Sequence, residues 1–278
     1  MKKKKLSFLE RAAAVPHLVW AVMFIVAPLI FVAFFAFTDS ETGSFSFSNV
    51  GALSSYSHIF LVSICFALVA TFFCLLIGYP LAFFISRCKP STQKLLMMLL
   101  MLPMWINLLI RTYSLKILLE TNGLINQLLG LLNIPPVQVL QTDFAIILGM
   151  VYNYLPYMVL PIYSVLVKID KRLVEAAQDL GCSGWQVMGK VIMPLSISGV
   201  ISGITMVFVP SISTFFISKS LSDGRIKLIG DVIESQISMH NVAAYNIGSA
   251  LSFVLMMMIL VSLFITNKFG DEDGGVMI

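Results

Sequence analysis

The sequence predicts an all-α polytopic membrane protein: six transmembrane helices, with a short pair of cytoplasmic helices between the fourth and fifth. Three observations lead there. Hydrophobic residues make up 58% of the 278-residue chain and charged residues only 12%, against about 25% charged in ordinary soluble domains. The apolar residues gather into six runs, each near or above the roughly 20 residues a helix needs to cross a hydrocarbon core. Lysine and arginine are also unevenly placed. Alternate connections and the tail carry Lys2, Lys3, Lys4, Lys5, Arg11, Arg87, Lys89, Lys94, Lys168, Lys171, Arg172, Lys190 and Lys268, while the remainder carries only Arg111, Lys116, Lys219, Arg225 and Lys227. Cytoplasmic loops collect positive charge, so both termini and residues 170–194 are expected inside the cell.

In chain order, a basic start leads into an apolar run at about residues 12–37. That run is longer than the 7–15 residues of a signal-peptide core, so it reads as a retained first span. Residues 38–58 are polar and serine-rich, an external loop with Asp39 and Glu41. The second span covers about 59–86 and stops at Arg87, Cys88, Lys89 and Pro90. The third, about 95–119, is interrupted by Pro103, Trp105, Asn107, Arg111 and Lys116. Residues 122–143 are external, with a leucine-rich stretch at 124–132 that reads as a short surface helix. The fourth span, about 144–167, contains Pro156 and Pro161. The fifth, about 192–218, contains Pro210, and the sixth covers about 243–266, with residues 219–241 external between them.

Residues 170–194 are the one sizeable cytoplasmic stretch with helix punctuation. Asp170 is a helix N-cap, followed by Leu173, Ala176, Ala177 and Leu180 at helical spacing. Gly181 fits the left-handed position that ends a helix. Ser183 and Gln186 stand in capping-box order, so a second helix starts at once. A bent soluble element between two spans reads as a docking surface. Two alanines allow close backbone approach, and Glu175 offers an anion to a basic partner.

These residues carry a specific likeness. Glu175-Ala176-Ala177, three residues, Gly181, nine residues, then Val191-x-Met193-Pro194 resembles the EAA motif of importer-type (type I) ABC transporter permeases, departing from it only by Val191 for Ile and Met193 for Leu. Further stretches resemble the spermidine/putrescine permeases of the PotB type. They are Leu102-Pro103-Met104-Trp105-Ile106-Asn107 with Leu109 to Tyr113, Gly149-Met150-Val151-Tyr152 with Leu155-Pro156, and Leu228 to Ile233. The resemblance implies one permease domain over residues 1–278 and a coupling helix seated on a cytoplasmic ATPase. It implies half of a heterodimeric pore, with a second permease subunit, two copies of the ATPase and an extracytoplasmic polyamine-binding protein as partners. The implied setting is a bacterial cell membrane. An importer of another small solute stays open as an alternative.

A polyamine path needs ring faces and carboxylates, because a cation over an aromatic face gains roughly 0.5–2 kcal/mol without deep trapping. Trp105, Tyr113 and Glu120 in the third span and Tyr152 in the fourth are the favoured candidates, among a set that also includes Tyr154 and Tyr157. Arg111 or Lys116 is a candidate ion-pair partner for Glu120. In the fifth span, Pro210 removes a backbone hydrogen bond beside Ser211, Ser213, Thr214 and Phe215, a polar break suited to a gate. Helix packing is the competing role for each of these residues.

Other classes fit less well. The chain has no Gly-x-x-x-x-Gly-Lys-Ser/Thr loop, so ATP and Mg are expected on a separate subunit and no cofactor in this one. His17, His58 and His240 are scattered, and the four cysteines have no metal or disulfide spacing. A stand-alone channel or secondary carrier leaves the EAA spacing unexplained, and a net charge of +4 makes no case for nucleic acid.

Overall fold

A computed structural model describes residues 8–39, 42–239 and 241–274. Lys2 to Lys5, Glu41, His240 and the end of the tail lie outside the described residues. The described chain is helical, its one β-bridge joining Thr38 and Phe45. Four helices are each long and apolar enough to cross a membrane: Val15–Ala36, Leu53–Arg87, Asp143–Leu166 and Val242–Thr266. The third and fifth spans are instead bent pairs. Pro90–Trp105 and Leu108–Leu131 meet at 95°, and Gly184–Leu195 and Ile197–Ile212 at 65°. Six crossings therefore require each bent pair to count as one.

The break in the third span has a local cause. Pro103 sits in a tight helical turn, Leu102–Trp105, and Ile106 and Asn107 are extended. Asn107 then restarts the helix as an N-cap, its Oδ1 accepting from the Leu109 N–H at 2.8 Å. The predicted surface helix is present at Leu124–Leu131. Buried Asn126 anchors it, accepting from the Val137 N–H at 2.8 Å and donating to the Glu120 and Val137 carbonyls, both at 3.1 Å.

Two compact units divide the chain: residues 1–57 with 233–257, and residues 58–232 with 258–278. In the first, Phe37 gathers Phe45, Phe47 and Phe253 at ring separations of 5.8, 5.6 and 5.2 Å. Asn49 and Asn246 both donate to the Thr38 carbonyl, at 2.8 Å each.

The second unit holds the main core, and small residues set its spacing. A Cβ on Gly203 would lie 2.7 Å from Met158 Sδ, and one on Gly199 would lie 2.9 Å from the Pro161 carbonyl. The fourth and fifth spans thus meet backbone to backbone, the close approach that small residues permit between membrane helices. At the Arg87 end of the second span, Gln93 donates to the carbonyls of Ser86 and Cys88, both at 3.0 Å, and accepts from Tyr163 at 3.2 Å.

The fifth span ends earlier than the sequence indicates. Its helix stops at Ile212, residues 213–215 are irregular, and a new helix, Phe216–Ser222, follows. Ile217, Ser218, Ser220, Leu221 and Ser222 are buried, so the region expected to open an external loop is packed structure. Gly149 accommodates it, since a Cβ there would sit 2.4 Å from Leu221 Cδ1.

Candidate functional site

The segment between the fourth and fifth spans is built as its punctuation requires. Asp170 caps the helix Lys171–Asp179, its Oδ1 accepting from the Arg172 N–H at 3.0 Å. Gly181 turns the chain at φ +83°. The Schellman-type bonds are present, from Gly181 N–H to the Gln178 carbonyl at 2.8 Å and from Cys182 N–H to the Ala177 carbonyl at 3.0 Å. A capping box then opens Gly184–Val187, with Gln186 Oε1 accepting from the Ser183 N–H at 2.8 Å.

The element has two faces. Val174, Ala177 and Cys182 pack against the core, with Val187 and Ile192 fully inside it. The other face carries Leu173, Glu175 and Ala176, all exposed. Leu180 and Trp185 are 86% and 88% exposed, on either side of Gly181. Large apolar side chains left in water mark an interaction surface. Spacing alone drew Leu180 into the helix stripe and passed over Trp185; an isolated Trp in a capping-box helix was the available signal. Pro194 lines a separate apolar groove of about 550 Å³ together with Leu75, Tyr79, Pro80 and Ile197. Beside it, the bend at Ser196 is fastened by a Tyr79–Ser196 hydroxyl contact of 2.9 Å.

The pathway candidates divide by environment. Trp105, Tyr113, Tyr152 and Phe215 are exposed on this chain, Trp105 at 79%. Tyr113 packs edge-on against Phe216, with ring centroids 5.4 Å apart. Glu120 is exposed and ends the helix Leu108–Leu119. Ser211 and Thr214 are buried. Ser213 is half-buried and donates back to the Val209 carbonyl at 3.1 Å.

The structure draws together residues that the sequence ranked lower. Tyr154 is buried, and its hydroxyl donates to the Pro210 carbonyl at 3.4 Å, beside Thr214. Asn153 is buried and donates to Thr112 at 3.3 Å and to the Gly149 carbonyl at 2.8 Å. Gly230 seats the break in the fifth span: its ideal Cβ would lie 2.6 and 2.5 Å from the carbonyl oxygens of Ser213 and Thr214.

The ion pair expected at Glu120 is not what forms. Lys116 Nζ instead meets Asp223 Oδ1 at 2.6 Å, and Gln141 donates to Asp223 Oδ2 at 3.0 Å. Asp223 is the left-handed C-cap after Phe216–Ser222, so the reason is geometric: that turn carries its carboxylate to the Lys116 ammonium. The Lys116 and Gln141 hydrogen bonds hold the Asp223 carboxyl below its ordinary range.

Comparison with known proteins places this architecture. Residues 6–269 match the family described as "Binding-protein-dependent transport system inner membrane component". The chain belongs to this family. The permease is 35% identical over 256 residues to the spermidine/putrescine transport system permease protein PotB of Haemophilus influenzae, covering 88% of each chain. It is 37% identical over 245 residues to the PotB protein of Escherichia coli K12, covering 85% of this chain and 88% of that one. Among solved structures it is similar to a chain of a bacterial ABC transporter that imports the acidic polysaccharide alginate. The TM-score is 0.76 at 19% identity, covering 95% of this permease and 96% of that chain, a likeness of fold. The permease is thus a multi-pass membrane protein of the type I ABC importer class.

Proposed function

We propose that this permease is one of two membrane subunits of an ATP-driven importer of polyamines, of the spermidine and putrescine class. Support for the substrate comes from the PotB relatives, which match across most of both chains. The observation that carries the coupling role is the two-faced element at residues 170–194. One face is fixed to the permease core, and the other presents Glu175, Ala176, Leu180 and Trp185 outward.

In this reading the outward face seats on a cytoplasmic ATPase, one of two copies, which binds ATP and Mg and performs the hydrolysis. A second permease completes the pore, and an extracytoplasmic binding protein delivers the substrate. A solved neighbour of the same fold is in complex with a periplasmic protein. Both termini and the coupling element face the cytoplasm, as the positive charge distribution favours. ATPase closure pulls the coupling element, and Val187 and Ile192 pass the movement into the fifth span. The break at Ser211, Ser213, Thr214 and Phe215 forms part of the pathway, with Trp105, Tyr113, Glu120 and Tyr152 along the approach.

The test is uptake of labelled spermidine and putrescine by cells lacking the chain and by the same cells with it restored. Loss and rescue are expected. Unchanged uptake in a strain with no second polyamine system would refute the substrate.

A further inference from the structure

One buried cation sits at the break in the third span. Arg111 lies one turn into the helix that restarts after Asn107, and only 6% of it is exposed. Its guanidinium makes one long hydrogen bond, Nη1 to the Pro103 carbonyl at 3.4 Å. Its Nε has no hydrogen-bond partner, and no carboxylate pairs with it among the described residues. A charged side chain inside a membrane span is costly and normally faces a partner or a water-lined cavity. Arg111's neighbour Thr112 accepts from Asn153 of the fourth span at 3.3 Å, and the residue after Asn153, Tyr154, touches the fifth span at the Pro210 carbonyl.

The surroundings favour cations. Tyr154 and Tyr157 offer ring faces, their centroids 6.3 Å apart. Asn153 Oδ1 and Ser211 Oγ are buried with no hydrogen-bond partner. Asn153 precedes Tyr154 in its helix and Ser211 follows Pro210, whose carbonyl Tyr154 contacts; unpaired oxygens and ring faces at such a junction would hold an amine cation firmly. A carrier needs the opposite, a site favourable enough to enter and weak enough to leave.

We propose that Arg111 is a resident cation of the translocation pathway. It holds the junction of the third, fourth and fifth spans at positive potential, so that an ammonium group of the substrate passes without coming to rest there. Low local dielectric strengthens this field. Arg111 thereby acts as a specificity-determining residue, leaving tight retention of substrate to other parts of the importer. The inference rests on the proposed pathway along the fifth span.

Local potential can be read without any substrate. In a complex whose native Cys65, Cys74, Cys88 and Cys182 are replaced, Ser213→Cys is exposed to a cationic and an anionic methanethiosulfonate, and the ratio of modification rates is measured. With Arg111 present the anionic reagent should be favoured. Arg111→Gln should shift the ratio at least tenfold toward the cationic reagent, and Arg111→Lys should leave it near the starting value. Asn153→Asp keeps the arginine and supplies a carboxylate of the same shape, so it should shift the ratio in the same direction as Arg111→Gln. A merely structural role for Arg111 moves accessibility to both reagents equally. An unchanged ratio in Arg111→Gln and Asn153→Asp overturns the inference and leaves the pathway standing. A cysteine unreactive to both reagents in every nucleotide state overturns the pathway as well.

Discussion

Truncating Trp185 to alanine should detach the permease from its ATPase while leaving its own fold intact. Trp185 is 88% exposed and Leu180 is 86% exposed, so neither contributes much to the packing of the isolated chain. A tryptophan buries about 200 Å² on docking. At about 25 cal/mol per Å² this is roughly 5 kcal/mol before the costs of association. Those costs, and incomplete burial, bring central apolar anchors down to about 2–4 kcal/mol in alanine scans. Trp185→Ala should therefore weaken ATPase binding by at least roughly thirtyfold, about 2 kcal/mol. Leu180→Ala removes less surface and should cost roughly tenfold. The assay is titration of the purified ATPase onto the full permease pair in nanodiscs, followed by nucleotide hydrolysis. Trp20→Ala, on the first span, is the control. Binding within twofold of the parent for both Trp185→Ala and Leu180→Ala, with intact complexes, would refute the claim that this face docks the ATPase.

Three further outcomes follow from the geometry. Gly181 sits at φ +83° with nothing within 4 Å of an added Cβ, so Gly181→Ala should cost only the backbone strain, about 1 kcal/mol. Gly181→Pro, which forbids that φ outright, should abolish uptake with normal membrane insertion; wild-type transport would count against the bend as a coupling device. Gly230→Ala puts a carbon 2.5 Å from the Thr214 carbonyl oxygen, closer than backbone can accept, and should destabilise the purified permease by about 1–3 kcal/mol in thermal melts. Because Asp223 is held below the ordinary carboxylate range, its pairing with Lys116 stabilises the fold above that range and is lost as pH falls through the lowered value. The side chain is 46% exposed, so Asp223→Asn should cost no more than about 1 kcal/mol at pH 7. The gap to the parent should close in melts taken in strong acid; a constant gap would point to some other source of the effect.

The shape of the element at residues 170–194 was readable because its rules are local. Asp170, Gly181, Ser183 and Gln186 act on backbone groups two to three residues away, and the structure contains each of those bonds. The surroundings of the pathway candidates were less readable. Tyr152 and Tyr154 are adjacent aromatics in one apolar span, yet the first is exposed and the second is buried against Pro210. A helix surrounded by lipid on one side and apolar neighbours on the other shows no polar stripe to reveal which face is inward. Leu180 had the reverse problem, since a leucine at helical spacing reads as packed whether or not anything covers it.

By itself the sequence determined six apolar runs, the gathering of positive charge in alternate connections, and a helix–glycine–helix element between the fourth and fifth runs. Each follows from run length, charge or spacing along a short piece of chain. Only the tertiary structure decided that Lys116 pairs with Asp223, 107 residues away, and that Arg111 is buried against the Pro103 carbonyl at the break in the third span. It also decided where the third and fifth spans bend. Such outcomes depend on which side chains meet across helices, and contacts between distant residues leave no periodic mark in a chain that is apolar almost throughout.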